Sequence, residues 1–236
     1  MNDRLNLRTV VITGAAGALG QAVAQHFLDD GCHLALIDQD EARLRSVFAA
    51  RAGAEPHLLL AADVTSQDSM QTAAGRILQA FGHVDVLVHV AGGFEMGEAT
   101  HRISRASWQR MMDLNAWSFV AVTQDIVEHM RGRGAGKVIA VSARSAERGA
   151  AAMGAYGASK SALQRLVEAL SHEVRGHGIN VNSIAPTILD TPANRQAMPD
   201  ADRSVWVATA VAARAVGYLA SDAAAPVHGQ HLVLGA

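Results

Sequence analysis

Short apolar runs alternate with segments whose apolar residues recur at helical spacing, and this rhythm runs the length of the chain. Thr9–Thr13, His33–Ile37, His57–Ala61 and Val84–Val90 read as buried strands in the first half. Helices are predicted between them: Gln21–Asp30 with Val23, Phe27 and Leu28 on one face, Asp40–Ala52 with Leu44, Val47 and Phe48 inward, and Ser66–Phe81. In the second half one long helix is predicted from about Ser104 to Met130, with Trp108, Met111, Met112, Asn115, Phe119, Val122 and Ile126 at helical spacing. Lys137–Ser142, Ile179–Ala185 and His231–Leu234 read as strands, and Tyr156–His177 and Thr209–Ala220 as helices. Thr187–Trp206 has no clear period and holds Pro192 and Pro199, so it reads as irregular. Continuous apolar strands separated by helices mean an α/β fold whose parallel sheet is covered on both faces. No linker, repeat or charge block divides residues 1–236, so a single doubly wound domain of about seven parallel strands is expected.

Composition narrows the function classes. Half of the 236 residues are hydrophobic and 18% are charged, enough apolar material for a large core. A net charge of −2 lacks the basic surface of a nucleic-acid binder. The longest stretch without a formal charge, Thr9–Leu28, is interrupted by Gly14, Gly17, Gly20, Gln21, Gln25 and His26, so neither a membrane anchor nor a signal peptide is expected. The single cysteine, Cys32, excludes an intramolecular disulfide and suggests a reducing, cytoplasmic setting.

Two segments carry chemistry. Thr13-Gly14-Ala15-Ala16-Gly17-Ala18-Leu19-Gly20 lies between a strand and a helix. Glycines there let backbone approach a pyrophosphate, and the helix N-terminus offers free N–H groups and the positive end of its dipole. The second strand ends at Asp38, 18 residues past Gly20. A carboxylate at that place accepts hydrogen bonds from ribose hydroxyls and repels a 2′-phosphate, which favours NAD over NADP; its alternative is a helix cap, for which Asp40 stands better. Further on, Tyr156 and Lys160 are four residues apart and share a helix face. A neighbouring ammonium and a cationic nicotinamide would lower the phenol pKa, preparing Tyr156 to exchange a proton with an alcohol while hydride moves.

These segments resemble the short-chain dehydrogenase/reductase family over nearly the whole chain. TGAAGALG is similar to its nucleotide loop, with Gly14, Gly17, Ala18, Leu19 and Gly20 at the cofactor. Asp63-Val64 is similar to its adenine-contacting pair, Asn115 to the asparagine of its catalytic tetrad, and Tyr156 with Lys160 to its YxxxK. Asn182 to Pro186 and Thr191 resemble the segment that closes over nicotinamide, which puts Pro186, Ile188 and Thr191 at the cofactor. The resemblance implies a Rossmann fold, bound NAD, a small carbonyl or alcohol substrate and a homotetramer or homodimer. It makes Tyr156 the general acid/base, Lys160 the ribose-binding residue that also lowers the phenol pKa, and Asn115 the holder of a water linking Lys160 to solvent.

Three positions depart from that pattern. The family's NNAG is His89-Val90-Ala91-Gly92, so Ala91 and Gly92 keep the backbone approach while His89 stands in for an asparagine. Its PG is Pro186-Thr187. The tetrad serine, 13 residues before the tyrosine, is Ala143, with Ser142 before it and Ser145 beyond. Either Ser142 serves, or no serine polarises the carbonyl; one such donor is worth about 2.7–4 kcal/mol elsewhere. Ala143-Arg144 and Val90-Ala91-Gly92-Gly93 also resemble the dihydropteridine reductase branch, which implies a pterin-like conjugated imine as an alternative substrate. A nucleotide-binding scaffold without turnover is the reading from outside enzymology.

The histidines lack metal-ligand spacing, so no metal is expected. Arg144 and Arg148 either bind an anionic group or solvate a loop. Phe94, Glu95 and Met96, together with Met198, Arg195 and Trp206 of a substrate lid at about 187–206, are expected to form the substrate pocket.

Overall fold

The computed structural model describes residues 7–48 and 57–235. Seven strands form one parallel sheet: β1 (Thr9–Thr13), β2 (His33–Asp38), β3 (His57–Ala61), β4 (Val86–His89), β5 (Gly136–Val141), β6 (Ile179–Pro186) and, after two short strands, β9 (His231–Leu234). Their spatial order is β3-β2-β1-β4-β5-β6-β9. The order reverses beside β1, which pairs with β2 on one side and β4 on the other, so a crevice opens at the carboxyl ends of β1 and β4.

Side chains alternate across each strand and build two apolar layers. Val10, Ile12, Leu34, Leu36, Val86, Val88 and Ile139 meet Phe27 of α1 (Ala18–Asp29), Leu44 of α2 (Glu41–Phe48) and Val216 and Leu219 of α8 (Thr209–Ala220). Val11, Ala35, Ile37, Leu87, Val138 and Val181 meet Ile77 of α3 (Gln67–Phe81), Val122 of α5 (Ser118–Arg133) and Leu163 and Val167 of α6 (Gly154–Val174). Both faces are therefore apolar, which is why the strands read as continuous runs rather than alternating ones. Local signals fix the ends of elements: Ser66 Oγ accepts from Ser69 N at the start of α3, and Gly82, at φ 76°, ends it.

The structure differs from the periodicity in four places. The long helix predicted from Ser104 to Met130 is α4 (Arg105–Met112), a π turn (Asp113–Trp117) and α5. One extra residue in that turn shifts the phase, so Trp108 is partly exposed while Asn115 is fully buried. α1 begins at Ala18 rather than Gln21, because Gly20 belongs to the helix and not to the loop. β4 is shorter than Val84–Val90. The segment 187–206, expected to be irregular, contains β7 (Leu189–Asp190) and α7 (Pro192–Ala197); β7 pairs with β8 (Val207–Ala208). Thr191 caps α7 through its hydroxyl and Pro192 follows it, a start signal too short to register as a helical period. The predicted second helix, Asp40–Ala52, is described as Glu41–Phe48; its last residues lie outside the described residues. No helix among the described residues is long and apolar enough to cross a membrane.

Candidate active site

The nucleotide loop is shaped by close backbone approach. Gly14 has φ +65°, and a Cβ on it would stand 2.8 Å from Ala91 N. A Cβ on Gly20 would stand 2.2 Å from the Gly14 carbonyl oxygen. Both residues must be glycine for β1, the loop and the end of β4 to meet. α1 starts at this loop with no side-chain cap and no acidic residue in its first turn, so its free N–H groups and dipole are available to an anion. A cleft of about 1100 Å³ opens here, lined by Gly14, Gly17, Ala18, Leu19, Gly20, Asp38, Asp63, Val64, Ala91, Gly92 and Thr191. Eleven residues singled out in the sequence thus share one cleft, and its glycine cradle and uncapped helix start fit a dinucleotide pyrophosphate.

Asp38 ends β2 at the cleft wall, where its Oδ2 accepts from Ala16 N at 3.0 Å. The carboxylate so ties the nucleotide loop to the second strand. Arg43 of α2 and Gln21 also line this wall, and neither was singled out in the sequence. Asp63 folds back on Thr65, accepting from its N–H at 2.9 Å and its hydroxyl at 2.7 Å.

His89 occupies the place of the family's asparagine and is fully buried. Ser118 Oγ donates to the Leu114 carbonyl at 2.7 Å, so it accepts from His89 Nε2 at 3.0 Å. His89 Nδ1 then accepts from Thr13 Oγ1 at 2.9 Å, and Thr13 Oγ1 accepts from Ala91 N at 3.3 Å. The network assigns the neutral Nε2–H tautomer. Burial, with Lys160 nearby, pushes the imidazole pKa down to about 3. A neutral ring thus joins the end of β1 to the turn that carries Asn115.

Asn115 sits in that π turn. Its Oδ1 accepts from Gly93 N at 2.9 Å, and its Nδ2 donates to Gly93 O and Ser159 Oγ, each at 3.0 Å. The amide is committed to protein groups, so its side chain orders the 91–93 backbone and the start of α6. A Cβ on Gly92 would stand 2.9 Å from Asn115 Oδ1 and 3.1 Å from Lys160 Nζ, so the missing side chain lets these two residues converge. Lys160 is buried and donates to the Val141 carbonyl at 3.0 Å. Burial lowers its pKa to about 8.

Tyr156 lies one turn before Lys160, with its ring edge-to-face on Phe94 at 4.9 Å. The sequence reading expected an acidified phenol. Within the protein alone, burial raises the phenol pKa above its ordinary value, and Lys160 is not among the groups that lower it. The Ser145 hydroxyl faces the phenol and works against that rise. Ser142 is buried, and its Oγ points toward the Lys160 carbonyl at 3.5 Å.

A second cavity of about 640 Å³ adjoins the first, sharing Leu19, Val90 and Gly92 with it. Phe94, Met96, Met153, Ile188, Leu189 and Met198 give it apolar walls, and Tyr156, Lys160, Ser142, Ala143, Ser145 and Pro186 also line it. Arg144 lines it too, whereas Arg148 does not. Three expected pocket residues lie elsewhere for physical reasons. Glu95 is held by Arg110 and Ser107, Arg195 pairs with Asp190 at 2.6 Å, and Trp206 is buried beside β8 with Arg203 over its ring. Met153 and Asn194 line the cavity without any local signal that would have found them. His228 and His231 bond Asn180 and Ser183, and no group of three or more His, Cys, Asp or Glu able to hold a metal comes together among the described residues. Burial pushes the Cys32 thiol up to about 12, which removes it as a nucleophile.

The chain is 33% identical over 189 residues to a sorbitol dehydrogenase of Cereibacter sphaeroides, covering 79% of this chain and 72% of that one. It is 30% identical over 247 aligned positions to a cis-4-hydroxycyclohexanecarboxylate dehydrogenase of Sinomonas cyclohexanicum, covering 99% and 97%. The crystal structure of an NAD⁺-bound xylitol dehydrogenase superposes with a TM-score of 0.90 at 21% identity over 98% of this chain and 99% of that one, a likeness of fold. The resemblance to dihydropteridine reductase suggested by two short segments is not shown by these relatives. The family model for short chain dehydrogenases matches residues 8–202, and with the glycine loop, Asn115, Tyr156 and Lys160 gathered along one crevice, the chain belongs to the short-chain dehydrogenase/reductase family.

Proposed function

We propose that this protein is an NAD(H)-dependent oxidoreductase that moves a hydride between nicotinamide and a small carbonyl/alcohol pair. One observation carries the reading: Tyr156 and Lys160 line the apolar cavity, and Lys160 Nζ stands 3.1 Å from where a Cβ would lie on Gly92, a residue the cavity shares with the nucleotide cleft. When bound in the cleft, the cofactor supplies or accepts the hydride. Burial keeps the Tyr156 phenol protonated at neutral pH, so it is an acid ready to protonate a developing alkoxide. Lys160 would hold the nicotinamide ribose, and Asn115 fixes the Gly93 backbone beside it. Asp38 supports NAD over NADP, since a 2′-phosphate at the end of β2 would meet its carboxylate.

The walls of the cavity favour an apolar substrate body. Phe94, Met96, Met153, Ile188, Leu189 and Met198 offer a polyol no hydrogen-bond partner, which leaves Arg144, Thr187 and Asn194 as the polar side chains away from the reacting group. The cis-4-hydroxycyclohexanecarboxylate dehydrogenase, a relative over nearly the whole chain, acts by its name on a ring alcohol, which supports the same reading. Residues 187–206 are the substrate lid: Ile188, Leu189, Asn194, Ala197 and Met198 all line the cavity.

The test has two parts. Fluorescence titration should find NADH bound at least tenfold more tightly than NADPH; the reverse order, with Arg43 binding the extra phosphate, refutes the role of Asp38. Turnover of cyclohexanone and related simple ketones with NADH should fall at least 1000-fold in Tyr156→Phe while the NADH Kd stays within twofold. Unchanged turnover in that variant refutes the proton donor.

A further inference from the structure

We propose that the Ser145 hydroxyl is the hydrogen-bond donor that polarises the substrate carbonyl, the task left open by alanine at position 143. The proposal rests on the oxidoreductase reading above and completes its site.

The placement follows from the chain path beyond β5. Ala143 is extended, at φ −155° and ψ 155°, and a single 3₁₀ turn over Arg144–Ala146 then folds the chain back. That turn is anchored twice: Ala146 N donates to Ala143 O at 2.9 Å, and Ser161 Oγ of α6 donates to Ala146 O at 2.7 Å. Ser145 is thereby held to the helix that carries Tyr156 and Lys160. A Cβ on Gly157 would meet the Ser145 carbonyl at 3.5 Å, so the turn lies directly on the first turn of α6.

Thr187 also lines the cavity with an unpartnered Oγ1, but that oxygen packs against Gly235, 2.4 Å from where a Cβ there would stand. Two features and its place facing the phenol then single out the Ser145 hydroxyl. Ser145 lines the substrate cavity beside Tyr156, Met153 and Phe94. Its Oγ is shielded from solvent and makes no close hydrogen bond; its one polar interaction is with the Tyr156 phenol it faces, which leaves its bonding capacity open to a bound group. A buried hydroxyl left unmatched is costly and uncommon, and a bound group that takes up its hydrogen bond accounts for it. The competing serine lacks this property. Ser142 donates its N–H to Ile184 O, and its hydroxyl is turned toward the backbone of α6 at Lys160.

In the reductive direction hydride adds to the carbonyl carbon, and the π electron pair moves to oxygen. Ser145 donates a hydrogen bond to that oxygen throughout and keeps its proton. Tyr156 transfers the proton that completes the O–H bond, and the tyrosinate is reprotonated from solvent. Ser145 therefore acts on the developing charge and Tyr156 on the proton balance. The bond from Ser145 strengthens as charge grows, so its loss lowers kcat more than cofactor affinity.

The experiment compares Ser145→Ala, Ser145→Thr and Ser142→Ala in ketone reduction with NADH. Ser145→Ala should lose roughly 100- to 1000-fold in kcat with the NADH Kd within twofold. Ser145→Thr, which restores a hydroxyl, should recover at least tenfold of that loss, and Ser142→Ala should lose no more than a few-fold. A Ser145→Ala variant with near-normal kcat, or a Ser142→Ala variant that carries the loss instead, overturns the assignment. A second readout needs no turnover. The chain has two tyrosines, so in a Tyr218→Phe background the alkaline rise in tyrosinate absorbance reports Tyr156 alone. Removing the Ser145 hydroxyl should move that ionisation to higher pH, while removing the Ser142 hydroxyl should leave it in place. An unmoved Tyr156 in Ser145→Ala overturns the proposal even if no ketone tried is a substrate. Loss of turnover in Tyr156→Phe is a separate result, bearing on the oxidoreductase reading and not on which serine serves it.

Discussion

The two halves of the crevice are made of different material. At β1 and β2 the cleft is built by backbone: Gly14, Gly17 and Gly20 bring peptide groups together, α1 offers its uncapped N-terminus, and Asp38 ties the loop down through Ala16 N. At β5 and α6 the cavity is built by side chains on separated segments: Phe94, Met153, Met198, Ser145 and Tyr156 come from three loops and a helix. The first half tolerates almost no change in residue type, because the constraint is steric and local. The second tolerates changes of identity and position, because only the place of a hydroxyl or an apolar surface matters. The alanine at 143 with a serine two residues on is that tolerance made visible.

Lys160 gives the sharpest break between the halves, since it lines the cavity and reaches Gly92, which both halves share. Lys160→Met should reduce kcat at least 100-fold. The same change should raise thermal stability at neutral pH. The folded pKa of about 8 lies below the ordinary 10.5, so the folded protein disfavours the ammonium. That cost is fully present below pH 8 and disappears as pH rises from 8 to 10.5, where the unfolded chain holds more protons. It amounts to roughly 3 kcal/mol at most, part of which is returned when the Val141 carbonyl loses its donor. A thermal melt at pH 7 should show a Tm higher by a few degrees, with the gain shrinking above pH 8. A lower Tm would mean that the amine stabilises the fold.

The backbone half is tested by Gly20→Ala. The new Cβ would fall 2.2 Å from Gly14 O and 2.8 Å from Ala15 Cα, and no flexible side chain is there to yield. Stability should drop by about 1–3 kcal/mol, and NADH affinity by tenfold or more, as read by denaturant titration and fluorescence. Wild-type affinity would show that the loop is softer than its geometry implies.

The smallest effect, over the single pH unit tested, is expected at the joint between the halves. His89 is buried neutral, with its pKa pushed down to about 3, so between pH 6.5 and 3 the unfolded chain binds a proton that the folded one refuses. Stability is therefore lost as pH falls through that window, by about 1.4 kcal/mol per unit. His89→Asn should flatten the dependence between pH 6 and 5 by about one proton in urea titrations. An unchanged slope would place acid sensitivity elsewhere, for instance at His231, whose pKa burial also lowers.

The comparison also explains what could be read before the fold was seen. The seven strands were legible because parallel strands covered on both faces are apolar runs, and a run is visible in one dimension. The nucleotide loop was legible because glycines that must touch backbone leave a spacing in the chain. The π turn was not, since hydrophobic periodicity does not register one inserted residue, so Trp108 and Asn115 fell in one helical series although only Asn115 is buried. The environment of Tyr156 was only half legible, because a charge four residues away is visible in sequence whereas the burial that raises the phenol pKa in the protein alone is not.

The sequence by itself determined the strand order of the chemistry: a glycine loop, an acid at the second strand, a tyrosine and a lysine one turn apart. Each of these depends on neighbours along the chain, where covalent spacing sets the geometry. Only the tertiary structure decided which serine faces the phenol, which residues of the 187–206 segment face the cavity, and why a histidine stands at the end of β4. Those outcomes depend on contacts between residues far apart in sequence. Ser145 is found by a turn pinned to α6, and His89 by hydroxyls from β1 and α5, distances that no one-dimensional pattern records.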